Sequence, residues 1–428
     1  MKIIISKGQF LGPISGADEI LVNYATHLHK SGHDVSVLLL YPYSPLDQYY
    51  RRLREAGVSI YTVAPGSVGT FLSAGRKLAR GLLNALPRSQ SLVRRKAQRV
   101  ATNLAARYQE RCRDLLKEFR ADVVHVLSPD PGAMVLISAA HVAGIPVMYQ
   151  EVGIPYHPPS FELSYEQFTA VLPLCAEVAT LSPLLAEMCR ERLPFSNKLS
   201  VLPLIVEDLR NGHGPARAGS DADVTIGFAA RLEHLKGPLV LLEAFAAASR
   251  VCRGLRLIIA GEGALQQKFT ARARSLGVAS RCELTSVYQS RGECQAFMRR
   301  LDIFALPSLT EGTPNSIIEA MSLGLPIVAS DVGGIPDVVA SDAGILVSPH
   351  DSGALARAFI SLAEDTELRR RMGDAARDRY EKLFSPEAVL PVLLKTYRRV
   401  AGREVSESSP PAKNPGPHPW EQPVLQAV

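Results

Sequence analysis

The alternation of short apolar runs with helical segments is the feature that most limits what this chain of 428 residues can form. It occurs in two series. The first predicts strands at residues 2–5, 34–40, 58–63, 122–127, 145–150 and 177–181. The second predicts strands at residues 224–229, 255–260, 302–306, 326–329 and 343–347. Because apolar strands that alternate with helices are typical of parallel sheets covered on both faces, the sequence predicts two doubly wound, Rossmann-like α/β domains.

A loss of apolar periodicity over residues 207–223, which are rich in Gly, Pro, Asp and Arg, indicates a linker between the two series. We therefore expect an N-terminal domain (1–206), a C-terminal domain (224–385), a closing helix (386–403) and a disordered, proline-rich tail (404–428). Open α/β sheets bind ligands beyond the carboxyl ends of their strands. The expected site of function is a cleft between the two domains.

Cysteine usage and hydropathy exclude several classes of protein. The six cysteines form no Cys-x-x-Cys pair and have no histidine at zinc-ligand spacing, so they indicate neither a metal site nor a disulfide framework. The long uncharged stretch at residues 131–149 is interrupted by His141, Gly144 and Pro146, which favours a buried helix and strand over a membrane span. The apolar run at residues 1–5 is too short for a secretion signal, and we expect a cytoplasmic protein.

The most informative local pattern is SLTEGTPNSIIEAMSLGLPIV at residues 308–328, directly after a predicted strand. Pro314 suits the first position of a helix, Thr313 can cap that helix, and Gly312 lets a ligand approach the backbone. With Asn315, these residues would form a helix N-terminus that faces the cleft. Such an end presents free backbone N–H groups to an anion or to sugar hydroxyls.

Two glutamates flank this helix start. Glu311 precedes it and Glu319 lies about two turns along, so that the two carboxylates can contact different parts of one extended ligand. The alternative is a capped helix with two solvated glutamates. For this spacing taken alone, the alternative is favoured.

A basic pair, Arg231 and Lys236, follows the predicted strand at residues 224–229. A guanidinium and an ammonium on such a loop can clamp a diphosphate, although two basic residues on a loop usually form a solvated surface. Gly261 and Gly263 form a glycine turn after the next strand, which is weak evidence when taken alone.

The first strand of the chain is followed by Gly12-Pro-Ile-Ser-Gly16. This loop can approach a pyrophosphate or an acceptor through its backbone. It lacks the G-x-G-x-x-G spacing, which argues against a dinucleotide-binding dehydrogenase.

These motifs occur together, in one order and at one spacing. From Gly227 to Phe384 the chain closely resembles the family 4 glycosyltransferases, a group of retaining enzymes with the GT-B fold. The resemblance is carried by G-x-x-x-R-x-x-x-x-K-G, G-E-G, L-P-S-x-x-E-G-x-P-x-x-x-x-E-A-M-x-x-G-x-P-I-V-A-S, G-G-I-P and R-M-G-x-x-A-R. The N-terminal half resembles the family more loosely, at residues 15–19, 31–35, 122–125 and 181–182.

The resemblance implies a nucleotide-sugar donor and assigns roles around it. Arg231 and Lys236 would bind the donor diphosphate and stabilise the leaving nucleotide. Glu311 would hold the donor sugar near its anomeric carbon, and Glu319 would bind the ribose. Further donor contacts are implied for Gly16, Gly261, Gly263, Gly312, Thr313, Pro314 and Asn315. Since these groups can neutralise the departing diphosphate, we expect neither a metal ion nor another cofactor.

The resemblance also bears on donor and acceptor. Family frequency favours a UDP-sugar, with GDP-mannose as the alternative, and a polysaccharide or glycolipid precursor as acceptor. Many relatives carry a histidine after the strand at residues 146–149, where this chain has Glu151 and, further on, His157. These two residues are candidates for the acceptor side, and a purely structural role for both is an equal alternative. His125 is expected to be structural.

Basic charge is concentrated in residues 76–120, which contain thirteen Lys or Arg and three Asp or Glu. Apolar residues at helical intervals would allow this segment to lie on an anionic membrane surface and present a lipid-linked saccharide acceptor. The alternative is an Arg-rich helical insertion packed against the N-terminal sheet.

Two other functions remain as alternatives. A nucleic-acid-binding α/β protein could use the basic segment, but this leaves the joint occurrence of Arg231, Lys236, Glu311 and Glu319 unexplained, so we expect no nucleic acid partner. A non-catalytic nucleotide-sugar-binding partner could share the fold, because fold alone does not determine function. The intact set of donor residues favours the enzyme.

Overall fold

The computed structural model describes residues 1–10, 15–41, 43–63, 106–127, 129–155, 168–193, 198–210, 223–403 and 418–421. The predicted linker is therefore described only at its two ends. Residues 76–105 of the basic segment and His157 lie outside the described ranges.

The N-terminal domain is built on one parallel sheet. Its described strands are β1 (Lys2–Lys7), β2 (Asp34–Leu39), β3 (Ser59–Thr62), β4 (Val123–Leu127), β5 (Val147–Glu151), β6 (Glu177–Thr180) and β7 (Leu199–Val201). Its described helices are α1 (Gly16–Lys30), α2 (Gln48–Glu55), α3 (residues 106–119), α4 (Pro131–Val142) and α5 (Pro183–Arg192). The strands are ordered β3-β2-β1-β4-β5-β6-β7, and each pairs with its neighbours in parallel.

The C-terminal domain repeats this plan. Its strands are β8 (Val224–Ala229), β9 (Leu255–Ala260), β10 (Cys282–Thr285), β11 (Ile303–Leu306), β12 (Ile327–Ser330) and β13 (Gly344–Val347). Its helices are α6 (Pro238–Val251), α7 (Gln266–Ser275), α8 (Arg291–Met298), α9 (Asn315–Ser322), α10 (Ile335–Val338), α11 (Ser352–Glu364) and α12 (Thr366–Leu383), followed by α13 (Pro386–Val400). The strands are ordered β10-β9-β8-β11-β12-β13 and are all parallel.

The prediction of two doubly wound parallel α/β domains is confirmed. In each sheet the strand order reverses beside the first strand, between β1 and β4 and between β8 and β11. Neighbouring loops there leave in opposite directions, which opens a crevice at the carboxyl ends of the strands. The strands at these reversals are buried on both faces, which explains their nearly continuous apolar sequences.

Two strands, β7 and β10, were not predicted from the sequence. Each has three or four residues and lies at the edge of its sheet. Both are half-buried for most of their length, so neither carries the continuous apolar run that marks a central strand.

The final helix, α13, returns to the N-terminal domain. The hydroxyl of Tyr397 lies 2.8 Å from His125 Nδ1, and the guanidinium of Arg399 contacts both carboxylate oxygens of Glu177 at 2.5 and 2.9 Å. His125 is fully buried, and this burial lowers its pKa to about 3, so that its ring stays neutral. It lies away from the cleft, as expected of a structural histidine.

Part of the proline-rich tail is ordered. Residues Pro419–Glu421 form a single 3₁₀ turn, and the buried ring of His418 lies 3.0 Å from the carbonyl oxygen of Leu383. The ring of Trp420 packs edge-on against Phe384 at 5.4 Å. The prediction of a disordered tail is wrong for these residues, because aromatic side chains can bury apolar area even within a proline-rich segment.

The described part of the basic segment, α3, packs against the N-terminal sheet. Cys112, Leu115 and Leu116 are buried in its core, and the hydroxyl of Tyr108 donates to the carbonyl oxygen of Leu40 at 2.8 Å. The apolar face of α3 is thus covered by the domain itself. Within the described ranges, no helix combines the length and apolar character that crossing a membrane requires.

Replacing Arg399 by Ala should destabilise the protein, because the carboxylate of Glu177, 1% exposed, would remain buried without its partner. Removing one member of a buried ion pair costs about 3 kcal/mol. We expect the midpoint of chemical denaturation to fall accordingly. Arg398→Ala, which removes an exposed guanidinium from the same helix, should change the unfolding free energy by less than about 0.5 kcal/mol. Equal losses in the two variants would contradict this account of the pair.

Candidate active site

A cleft of about 400 Å³ lies where the carboxyl ends of the two sheets approach each other. The N-terminal domain contributes the start of α1 and one side of α2, including Gly16, Glu19 and Arg52. From the C-terminal domain, the lining includes Arg231, Lys236, Arg291, residues 311–316 and Glu319. The cleft therefore brings together most of the residues that the sequence singled out.

The basic pair occupies the loop after β8. Arg231 is largely exposed and contacts Glu233 at 3.0 Å. Lys236 ends a short 3₁₀ turn, and its Nζ lies 2.6 Å from Oε1 of Glu311. One cation is thus largely exposed to solvent, and the other is already held by a carboxylate of the same cleft.

Gly261 and Gly263 lie behind this loop and are not among the cleft-lining residues. A Cβ on Gly261 would lie 2.0 Å from the carbonyl oxygen of Ala230, and one on Gly263 would lie 2.6 Å from that of Leu232. The nitrogen of Leu232 donates to the carbonyl oxygen of Glu262 at 2.8 Å. The glycine turn therefore supports the loop that carries Arg231, rather than forming the cleft wall itself.

Glu311 is held from several sides. Its side chain is buried, and Oε1 accepts hydrogen bonds from both Lys236 and the hydroxyl of Ser308, the latter at 2.7 Å. Gly333 supports its backbone: the φ of Gly333 is +56°, and a Cβ there would lie 1.7 Å from the carbonyl oxygen of Glu311. The carboxylate position thus depends on a turn that only glycine can form.

The helix that follows Glu311 begins one residue later than the sequence suggests. Asn315 is the first residue of α9, and Pro314, with a ψ of 116°, is the last extended residue before it. The predicted cap by Thr313 is wrong, because no side chain caps this helix. Proline lacks a side-chain acceptor, so the first-turn N–H groups have no side-chain partner and stay available to a ligand.

Contacts between the described residues of the two domains beside the cleft include three that involve the backbone. Nδ2 of Asn315 donates to the carbonyl oxygen of Gly16 at 3.2 Å. A Cβ on Gly312 would lie 3.1 Å from the Cα of Gly153, so their backbones are in close contact. In the third contact, the nitrogen of Leu184 at the start of α5 donates to Oδ2 of Asp337 at 2.7 Å.

Glu319 also lines the cleft, where it is 5% exposed and pairs with Arg291 at 2.6 Å. The hydroxyl of Tyr288 lies 3.4 Å from Oε2. Burial raises the pKa of Glu319, the charge of Arg291 opposes this shift, and the charge of Glu19 adds to it. The carboxylate predicted to bind a ribose is therefore ion-paired with Arg291.

Arg291 is not among the residues predicted from the sequence, although a capping pattern beside it was present. Ser290 and Glu293 have the S-x-x-E spacing of a capping box, and the hydroxyl of Ser290 accepts from the nitrogen of Glu293 at 3.2 Å. This pattern places the start of α8, and hence Arg291, at the cleft end of the helix. Ser308 and Glu19 lie within segments that resemble the family but received no role, and Arg52 carries no local signal.

Glu151 is buried at the end of β5 and does not line the cleft, although its neighbour Val152 does. The hydroxyl of Tyr149 donates to Oε2 at 2.8 Å, and the nitrogen of Gly153 donates to Oε1 at 3.2 Å. Burial raises its pKa to about 7. Glu151 thus holds the backbone turn that packs against Gly312.

Metal ligation has no support in the part of the chain that the structure describes. No group of three or more His, Cys, Asp or Glu side chains there is arranged to hold a metal ion. The six cysteines are all free of disulfide bonds.

Comparison with known families gives two matches that together cover most of the chain. The family described as "Glycosyl transferases group 1" matches residues 216–379, and the "Glycosyl transferase 4-like domain" matches residues 15–204.

Individual relatives match over a shorter span. A D-inositol 3-phosphate glycosyltransferase of Corynebacterium glutamicum is 34% identical over 186 residues, which are 42% of this chain and 44% of that protein. The 2-deoxystreptamine glucosyltransferase of Streptomyces kanamyceticus is 28% identical over 214 residues, 49% of this chain and 53% of that protein. The chain thus spans about half the length of the relatives it matches.

Solved structures are similar over nearly the whole chain. A glycosyltransferase from Rickettsia africae has a TM-score of 0.69 at 16% identity and covers 94% of this chain and 99% of its own. HepE of Anabaena, in complex with UDP and glucose, has a TM-score of 0.66 at 18% identity, with coverages of 92% and 99%. At these identities the similarity establishes the fold, which is GT-B.

The raised pKa of Glu151 predicts a pH-dependent stability. Its pKa of about 7 exceeds the ordinary value of 4.5, so the folded state keeps a proton that the unfolded chain releases between these values. Stability from this group is therefore present at low pH and is lost as pH rises from about 4.5 to 7. Glu151→Gln, which stays neutral, should be more stable than the wild type at pH 8 and gain much less at pH 5.

Thermal unfolding of both proteins at the two pH values measures this difference. Glu55→Gln, at an exposed position of α2, provides the control and should shift neither midpoint by more than about 1 °C. A gain for Glu151→Gln that is the same at pH 5 and pH 8 would show that the carboxyl does not titrate in this range.

Proposed function

The chain belongs to the group 1 glycosyltransferases, and on this premise we propose that it transfers a sugar from a nucleotide-sugar donor to an acceptor hydroxyl, with retention of anomeric configuration. One observation carries the proposal: Arg231 and Lys236 from one segment, and Glu311 and Glu319 from another about 75 residues later, line one cleft between two Rossmann-like domains.

The charge distribution of the cleft supports this assignment. Arg231, Lys236 and the uncapped start of α9 form an electropositive end that suits a diphosphate. Glu319 lines the same cleft, and its carboxylate suits ribose hydroxyls. A nucleotide sugar carries both phosphate and hydroxyl groups, and the cleft offers partners for both kinds of group.

Glu311 is assigned to the donor sugar. Lys236 and Ser308 both contact Oε1, which leaves Oε2 as the acceptor for a sugar hydroxyl. Donor binding would place the ammonium of Lys236 between Glu311 and the diphosphate. In that position the ammonium would contact both the leaving diphosphate and the carboxylate that holds the sugar.

In the proposed reaction, the bond between the anomeric carbon and the diphosphate oxygen breaks and its electron pair leaves with the nucleotide. The acceptor oxygen bonds to the same face of the anomeric carbon, and its proton passes to the departing phosphate oxygen. Negative charge grows on the diphosphate, where Arg231, Lys236 and the N–H groups of α9 stabilise it. We therefore propose that transfer does not need a metal ion.

Uridine is the favoured base. Two proteins of the same fold, HepE of Anabaena and TarM of Staphylococcus aureus, were solved in complexes that contain UDP. GDP-mannose remains the alternative donor. The proposed acceptor is a polysaccharide or a lipid-linked saccharide precursor, which would approach from the N-terminal domain; a contact with His157 remains a prediction from the sequence.

A panel of nucleotide sugars, screened for nucleotide release and transfer with EDTA present, tests the proposal. We expect turnover of one donor, unaffected by EDTA. Glu311→Ala and Arg231→Ala should each lose about 100-fold or more, because each removes a group that stabilises the transition state. Arg256→Ala, an exposed residue of β9, should keep full activity.

Two other results would change the assignment. Binding of a nucleotide sugar without turnover would favour a non-catalytic binding partner. The absence of both turnover and a thermal shift with any nucleotide would contradict the proposed donor site.

A further inference from the structure

The walls of the cleft contain polar atoms that lack partners. Within the described part of the chain, four buried side-chain atoms of cleft residues make no hydrogen bond: Glu19 Oε2, Arg291 Nε, Thr313 Oγ1 and Asn315 Oδ1. Nearly all buried polar atoms in folded proteins are paired, so a group of exceptions along one cleft indicates atoms that a ligand satisfies. Thr313 and Asn315 belong to the helix start already assigned to the donor. Glu19 lies in the segment 15–19 that resembles the family, but the resemblance assigns no role to it.

Glu19 is fixed in place by the N-terminal domain. It lies in the first turn of α1, three residues after Gly16, and its side chain is 14% exposed. Arg52 holds Oε1 at 2.6 Å and is itself held by Asn23 at 3.3 Å. The carboxylate therefore has one oxygen bound and the other open, in an orientation set before any ligand arrives.

The free oxygen of Glu19 belongs to the same region as Arg291 and Glu319. The charge of Glu19 contributes to raising the pKa of both groups, which places it close to them although it comes from the other domain. All three residues line the cleft. The part of the cleft around Arg291 is thus lined by a carboxylate from each domain, Glu19 and Glu319.

Around Arg291 and Glu319, carboxylate acceptors outnumber guanidinium donors. Three carboxylates, Glu19, Glu207 and Glu319, share two guanidinium groups, Arg52 and Arg291. Burial lowers the pKa of His27, which lies 3.8 Å from Glu207, so this histidine adds no charge at neutral pH. Such a site repels phosphate and accepts hydrogen bonds from a neutral polyol. The groups of the cleft that suit phosphate are instead the cations Arg231 and Lys236.

We propose that Glu19 is a donor-binding residue, an inference that rests on the proposed function. Its Oε2 accepts a hydrogen bond from one of the two vicinal ribose hydroxyls, and Glu319 accepts from the other. The ribose is then held by carboxylates from both domains, and nucleotide binding draws α1 towards α9. The pair of contacts also selects ribonucleotides over deoxyribonucleotides at both hydroxyls.

Binding of UDP, 2′-deoxy-UDP and 3′-deoxy-UDP by the full-length protein, measured by calorimetry, tests this inference. If the donor screen selects guanosine, the corresponding GDP series is used. Wild type should bind each deoxy analogue about tenfold more weakly than the ribonucleotide, since each loses a hydrogen bond to a charged group. In Glu19→Ala this loss of affinity, the penalty for a missing hydroxyl, should disappear for one of the two deoxy analogues. In Glu319→Ala it should disappear for the other.

Two controls separate recognition from structure. Arg52→Ala removes the guanidinium that orients Glu19, so the loss of affinity assigned to Glu19 should shrink while the one assigned to Glu319 remains. Glu283→Ala removes a glutamate that is ion-paired in the same way with Arg300, but on the protein surface, and should leave all three affinities unchanged. Glu19→Gln, which preserves the volume, replaces the Ala variant if the latter does not fold, and should reduce the same single penalty.

Retention of both penalties in Glu19→Ala would overturn the inference and leave the proposed function intact, because the wild type would still bind the nucleotide. A wild type that binds none of the nucleotides would instead overturn the proposed function, and this inference with it.

Discussion

The chain passes between its two domains near Val206 and again near Phe384. A backbone hydrogen bond of 3.0 Å, from the nitrogen of Val206 to the carbonyl oxygen of Phe384, joins these two segments. Tyr380 adds a second tie, since its buried hydroxyl donates to the carbonyl oxygen of Val206 at 2.8 Å. Asn23 of α1 donates to the neighbouring Ile205 at 2.8 Å. These buried contacts bring the carboxyl ends of the two sheets face to face, and every feature of the cleft depends on that arrangement.

The cleft contains groups of both charges. Arg231, Lys236 and an uncapped helix start provide positive potential, and around Glu19 and Glu319 carboxylates outnumber guanidinium groups. Fixed charges at a partly dry site interact more strongly than they would in water. These charges are paired within the cleft, Lys236 with Glu311 and Arg291 with Glu319, each at 2.6 Å. A ligand that carries both phosphate and hydroxyl groups can replace part of each pairing without leaving a buried charge alone.

Backbone close to the cleft is packed too tightly for ordinary side chains. Gly333 touches the carbonyl oxygen of Glu311, Gly261 touches that of Ala230, and Gly312 touches the backbone of Gly153 in the other domain. These contacts fix the loops that carry the functional side chains. Because a loop fixed by backbone contact moves little, the charged groups are held in position before a ligand binds.

The sequence by itself determined the two parallel α/β domains and the set of Arg231, Lys236, Glu311 and Glu319, because apolar periodicity and motif spacing are local properties of the chain. It placed the start of α9 one residue too early, since Pro314 can stand either first in a helix or just before it. Only the tertiary structure decided that Arg291 pairs with Glu319 and that Glu19, from the other domain, lies near both. It also decided that Glu151 has a raised pKa. These properties depend on burial and on the distance between groups remote in sequence, which packing of the two domains sets and no local pattern records.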